Sequence, residues 1–298
     1  MLIPPRRISL SGGGILGITH IGALEVLEER GLLRCVREYL GVSAGSMLAF
    51  TLSLGYTIAE IRELNFGLDY TLIQNLDPEN MFLNMESYGI DNGQNFDRLL
   101  GIVLKAKGLP LEITFAEFAA KFPDRPLFRT YATDLQTCLG KEFSLRATPD
   151  VPIKFAVQAS SCVPFLFTPI KDSSGNMFND GAAVSNTPFM YLTDEERAET
   201  LSLTFNLKDQ SGDGSQTMSS FFHYFMRMFV SAYVHQDRAI YDRWSNRIIY
   251  LDTNGMNPFH FKATVEEKRE VYELGRKSVA RFLETKPTKR IARRNSLS

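Results

Sequence analysis

The stretch Arg7-Ile8-Ser9-Leu10-Ser11-Gly12-Gly13-Gly14-Ile15-Leu16-Gly17 decides the fold class of this 298-residue chain. A short apolar run meets three consecutive glycines, and helical spacing follows at Ile18, Ile21, Leu24 and Leu27. A second strand-like run, Val36–Val42, leads into Gly41-Val42-Ser43-Ala44-Gly45, after which small and apolar residues continue as a helix to Leu54. Strand, glycine loop, helix, strand, tight turn, helix is the grammar of an α/β protein.

Outward from there, helical patterns are expected at Thr57–Phe66, Gly93–Lys107 and Thr114–Phe122, so residues 57–122 read as a helical insertion or cap. Strands are expected at Leu127–Thr133, Glu142–Leu145, Met177–Asn179, Leu201–Asn206 and Arg247–Asp252. Helices are expected at Val151–Ser160 and Val265–Leu283. Residues 1–284 form one domain in this reading. Lys208–Thr217 is polar and glycine-rich, and reads as a mobile loop. The tail, residues 285–298, carries Lys286, Lys289, Arg290, Arg293 and Arg294 without an acid, and reads as disordered.

Bulk composition narrows the function classes. A net charge of -1, with 44% hydrophobic and 22% charged residues, gives no global attraction to nucleic acid. Three cysteines (Cys35, Cys138, Cys162) at no paired spacing speak for a reducing compartment. No secretory leader and no run of about 18 apolar residues is visible, so the expected location is cytoplasmic, peripheral to membranes in action. Two segments are candidates for that contact: the Phe- and Met-rich Met218–Val234 and the basic tail.

The two glycine motifs describe half of a serine hydrolase site. Backbone N–H groups at Gly12, Gly13 and Gly14 can face a developing oxyanion, with Gly17 opening the helix behind them. In Gly-x-Ser-x-Gly, Gly41 and Gly45 leave room for a strained turn that lifts the Ser43 hydroxyl outward. Competing readings exist for each. Gly12-x-Gly14-x-x-Gly17 also fits the dinucleotide-binding pattern of an oxidoreductase, but Glu38 lies before the tip of the second strand, where a ribose-binding acid belongs. Ser43 could be a helix N-cap. A serine nucleophile needs a base. Asp180, at a strand tip and released by Gly181 and Ala182, is the first candidate; a simple Asp-Gly turn is the alternative. A triad through His235 or His260 is formally available, whereas His20 precedes the serine.

Taken together, the glycine loop, the Gly-Val-Ser-Ala-Gly elbow and the late Asp-Gly-Ala resemble a patatin-like phospholipase. Phe115–Phe118, Ala132-Thr133-Asp134-Leu135, Ala159-Ser160-Ser161-Cys162-Val163-Pro164 and Asn186-Thr187-Pro188 fall in the same order as in that family, so the likeness covers most of the chain. The resemblance implies a central, mostly parallel sheet between helices. It also implies a Ser43–Asp180 dyad without histidine, and calcium-independent hydrolysis of membrane glycerolipid esters with no cofactor or metal. It leaves room for a protein activator, or for a catalytically idle lipid-binding effector on the same scaffold. One departure is Leu16, where members usually carry Arg or Lys, and this bears on head-group preference.

Overall fold

The computed structural model describes residues 3–75, 86–205 and 239–285. Lys208–Thr217, Met218–Val234, His223, His235 and the basic residues after Thr285 lie outside these. The chain opens with strand β1 (Arg7–Leu10), helix α1 (Gly17–Glu29), β2 (Glu38–Gly41), α2 (Ala44–Ser53) and α3 (Ile58–Gly67). A short strand β3 (Gly89–Asp91) follows, then α4 (Gln94–Ala106) and α5 (Phe115–Lys121). Next come β4 (Leu127–Asp134), β5 (Leu139–Ser144), α6 (Ile153–Ser160), β6 (Phe165–Phe167), β7 (Ile170–Lys171) and β8 (Met177–Asp180). The described chain ends with α7 (Asp194–Ala198), β9 (Thr200–Phe205), β10 (Ile248–Leu251) and α8 (Val265–Glu284).

The central sheet runs β10-β9-β1-β2-β4-β8-β7, with β5 also on β4. The strands from β10 to β4 are mutually parallel, and β5, β7 and β8 join antiparallel. The expected, mostly parallel sheet flanked by helices is thus the observed architecture. Period-two alternation sorts its faces. In β9, Leu201, Leu203 and Phe205 enter the large core shared with α1, α2, α6 and α8. Ser202, between them, turns to a hydroxyl cluster with Ser9 and Thr187. On that second face a smaller core gathers Leu40, Phe189, Leu192, Tyr241 and Ile248. Among the described residues, α1, α2, α6 and α8 pack on one face, while Phe189, Leu192 and Tyr241 cover Leu40 and Ile248 on the other.

Within residues 57–122, helices α3, α4 and α5 are accompanied by a strand that the sequence pattern does not announce. β3 pairs in parallel with β6 as a separate two-stranded sheet. Three residues are too few to show periodicity. Threonine capping boxes at Thr57–Glu60, Thr114–Glu117 and Thr264–Glu267 fix the starts of α3, α5 and α8.

One detail of register places the candidate site. Along β4, Gly41 of β2 lies opposite Thr130, and Asp180 of β8 lies opposite Ala132. β5 occupies the other edge of β4 throughout Arg129–Asp134. β2 and β8 therefore share one edge and point their C-terminal ends at each other. A residue just past β2 must meet the last residue of β8.

Candidate active site

Ser43 is that residue. It sits at φ 53°, ψ −123° as the N-cap of α2, a conformation that costs a non-glycine residue about 1–3 kcal/mol and persists only when neighbours enforce it. They do. A Cβ on Gly45 would lie 2.2 Å from the Leu10 carbonyl oxygen, so only glycine lets the turn close on β1. The Ser43 N–H donates to Ser160 Oγ at 3.1 Å, and Ser161 Oγ donates to the Ser43 carbonyl at 3.2 Å. Gly41 ends β2, Gly17 begins α1 and Gly181 begins the turn after β8.

Ser43 lies beside the carboxylate of Asp180, close enough for its hydroxyl to favour the anion. Asp180 is buried, and its Oδ1 accepts the Ala182 N–H at 2.9 Å. Its own backbone is pinned on both sides: its N–H donates to Cys162 and its carbonyl accepts from Thr133 Oγ1. Burial pushes its pKa up to about 7, and the hydrogen bonds from Ser43 and Ala182 only partly oppose that shift. A carboxylate poised near neutrality is suited to taking a proton from a hydroxyl.

The glycine loop lies against the serine. A Cβ on Gly12 would meet Asn186 Oδ1 at 2.6 Å and Ser43 Cβ at 3.0 Å. The structure narrows the expected donor set. The Gly12 N–H is committed to the Asn186 carbonyl at 3.0 Å, while Asn186 Nδ2 returns a bond to the Gly12 carbonyl at 3.1 Å. Among the described residues, the Gly13 and Gly14 N–H groups have no protein partner. Those two can serve an anionic oxygen; Gly12 instead fixes the loop. Leu16 is wholly buried in the core, so its side chain presents nothing to a head group.

Ser43, Asp180 and the three loop glycines line a cavity of about 400 Å³. Its walls are apolar, supplied by α2 (Met47, Leu48), α3 (Ile61, Leu64) and α4 (Phe96, Ile102). Such a volume and lining are those of a site for a small, mainly apolar ligand. Among the described residues, no three His, Cys, Asp or Glu side chains converge at a metal-holding distance.

The two described histidines fall elsewhere. His20 is buried, contacts the Ser11 carbonyl through Nε2 at 3.0 Å, and has its pKa lowered to about 4 by burial. His260 pairs with Glu267 at 3.4 Å and is not among the cavity-lining residues. Glu38, which the dinucleotide reading would need near the loop, starts β2 and bonds Arg7 and Arg129 instead. Ser160, Ser161, Asn186 and Thr133 are the neighbours that sequence reasoning did not single out as site residues. Two serines closing α6 and an asparagine six positions after Asp180 were the available signals.

Fold and site together define a layered α/β protein in which a strained serine meets a buried aspartate at one end of the sheet, beside a glycine loop. The model of the patatin-like phospholipase family matches residues 8–193, and the chain belongs to that family. It is thereby a lipid acyl hydrolase at the level of the family. Bacillus subtilis YqhO, an uncharacterised protein, is 27% identical and aligns over 92% of this chain and 96% of its own length. A probable lipid hydrolase, 463L of invertebrate iridescent virus 6, is 29% identical over 61% of each chain. The structure of VipD from Legionella pneumophila shares the fold with a TM-score of 0.64 at 20% identity, over 94% of this chain and 67% of that one. Among the described residues, no helix is long and apolar enough to cross a membrane.

Proposed function

We propose that this protein hydrolyses carboxylic ester bonds of membrane glycerolipids without calcium, as a phospholipase A or lysophospholipase, through Ser43 and Asp180. The observation that carries the reading is Ser43 beside a buried carboxylate held near neutral pKa, both lining an apolar cavity. Asp180 takes the Ser43 proton as Oγ attacks the ester carbonyl carbon. The tetrahedral oxyanion is held by the Gly13 and Gly14 N–H groups, helped by the positive end of the following helix. Collapse breaks the ester C–O bond. The leaving alkoxide takes the proton from Asp180, and the acyl group stays on Ser43. Asp180 then deprotonates a water that attacks the acyl-enzyme. Fatty acid leaves and the proton returns to Ser43.

The burial of Asp180 supports its role as base more than a turn role would require. The pairing of His260 with Glu267 supports a dyad over a triad through that residue. A fluorophosphonate probe carrying an alkyl chain, followed by peptide mass spectrometry, tests the nucleophile. Labelling confined to Ser43 is expected. No labelling of the folded protein, or labelling at another serine, contradicts the assignment.

A further inference from the structure

The cavity lined by Ser43 is bordered by residues that also face solvent. Leu64 on α3 and Ile102 on α4 line it, yet remain 55% and 64% exposed. Tyr70 and Ile73 of the short turn after α3 also line it, and Leu72, between them, is 66% exposed. Single exposed leucines are ordinary on a protein surface. These three differ in their place: Leu64 and Ile102 line the cavity, Leu72 lies between two residues that do, and α4 is amphipathic, with Leu100, Val103 and Leu104 buried beneath the exposed Ile102.

The charge on these elements is balanced. Residues 58–73 and 94–107 carry four acids (Glu60, Glu63, Asp69, Asp97) and four bases (Arg62, Arg98, Lys105, Lys107). Several are already paired, Lys107 with Glu60 at 3.5 Å and Arg62 with Glu63 at 3.1 Å. A rim of this kind has apolar area to insert and no net field to draw it to anionic lipid.

We propose that Leu64, Leu72 and Ile102 form a docking face that inserts into a lipid surface by apolar burial, largely independent of head-group charge. The proposal rests on the hydrolase reading for its occupant: an acyl ester reaching Ser43 from a bilayer passes between these residues. It assigns membrane contact to α3, the turn after it and α4.

The test is co-sedimentation of Ser43→Ala protein with phosphatidylcholine vesicles, so that lipid binding is read without turnover. In that background Leu64→Glu, Leu72→Glu and Ile102→Glu are each expected to lower the partition coefficient about tenfold, the value of burying one such side chain. Ile3→Glu, an equally exposed site before β1 at the opposite end of the sheet, is expected to leave it unchanged. Leu72→Trp adds a readout that tolerates no confusion with misfolding: its emission should shift to the blue on adding vesicles. The binding should change little with salt. Undiminished partition of the triple glutamate variant overturns the proposal, as does binding that requires anionic lipid. A separate assay on a soluble short-chain ester reads the hydrolase reading itself. Loss of docking in the glutamate variants with no ester hydrolysis by wild type would sink that reading and leave the docking face standing.

Discussion

Strand β2 has a buried carboxylate at each end, and the two live in opposite company. Glu38, at its start, receives charge-assisted bonds from Arg129 at 2.8 Å through both Nε and Nη2, and from Arg7 at 2.9 Å. Asp180, facing its other end, has only the Ser43 hydroxyl and the Ala182 N–H, and burial lifts its pKa to about 7. A buried acid that meets guanidinium groups is a structural fixture. A buried acid left without a cation is unstable as an anion, and is therefore available to hold a proton. On the proposed mechanism, stability and chemistry are separated along the length of one four-residue strand.

The largest effects should fall on the chemical end. Ser43→Ala and Asp180→Asn are each expected to lower ester hydrolysis about 10⁴-fold or more, as loss of a member of a concerted pair does elsewhere. The two differ in stability. Burial holds the folded pKa of Asp180 above the ordinary carboxylate value of 3.8. Its contribution to stability is therefore full below that value and is lost as pH rises through about 7. Asp180→Asn should accordingly be more stable than wild type above neutrality, by up to about 4 kcal/mol, and the gain should vanish toward pH 4. Urea unfolding at several pH values measures it.

At the structural end the pattern should invert. Glu38→Ala leaves Arg129 buried with its main partner gone, and is expected to cost about 3–5 kcal/mol of stability. Activity per folded molecule should stay near wild type. A Glu38→Ala enzyme that is stable but inactive would erase the distinction between the two ends.

The pH profile sharpens the same contrast. With Asp180 acting as a base, kcat/KM should fall about tenfold per pH unit below about 7 and level off above it. Smaller still, Asn186→Ala removes the side-chain tether on the Gly12 carbonyl and should lower kcat about tenfold through the loop, with KM little changed. His260→Ala should retain most activity, because its ring pairs with Glu267.

Half of this arrangement is legible in the sequence because it is local. β1, the glycine loop, β2 and the Ser43 turn lie within one βαβ unit, and Gly12, Gly14, Gly41 and Gly45 there each answer a steric demand that small residues announce. Asp180 is legible as a strand tip before Gly181. That the two strand ends face each other is not, since it depends on β2 and β8 sharing one edge of β4 in opposite directions. The supports of Ser43 are equally silent. Ser160 and Ser161 reach it across more than a hundred residues, and a serine closing a helix looks the same whether it caps or buttresses. Gly12 shows the limit from the other side: its place in the glycine run suggested a free donor, and its bond to the Asn186 carbonyl came from a distant turn. The exposed apolar side chains of Leu64, Leu72 and Ile102 are likewise invisible as a group until α3, the turn after it and α4 are set around the cavity.

The most direct test of the central claim is fatty-acid release from mixed phospholipid vesicles, with and without EDTA, by wild type and Ser43→Ala. The account predicts release that survives EDTA and disappears in the variant. Release abolished by EDTA, or retained by folded Ser43→Ala protein, would contradict a metal-independent reaction through Ser43.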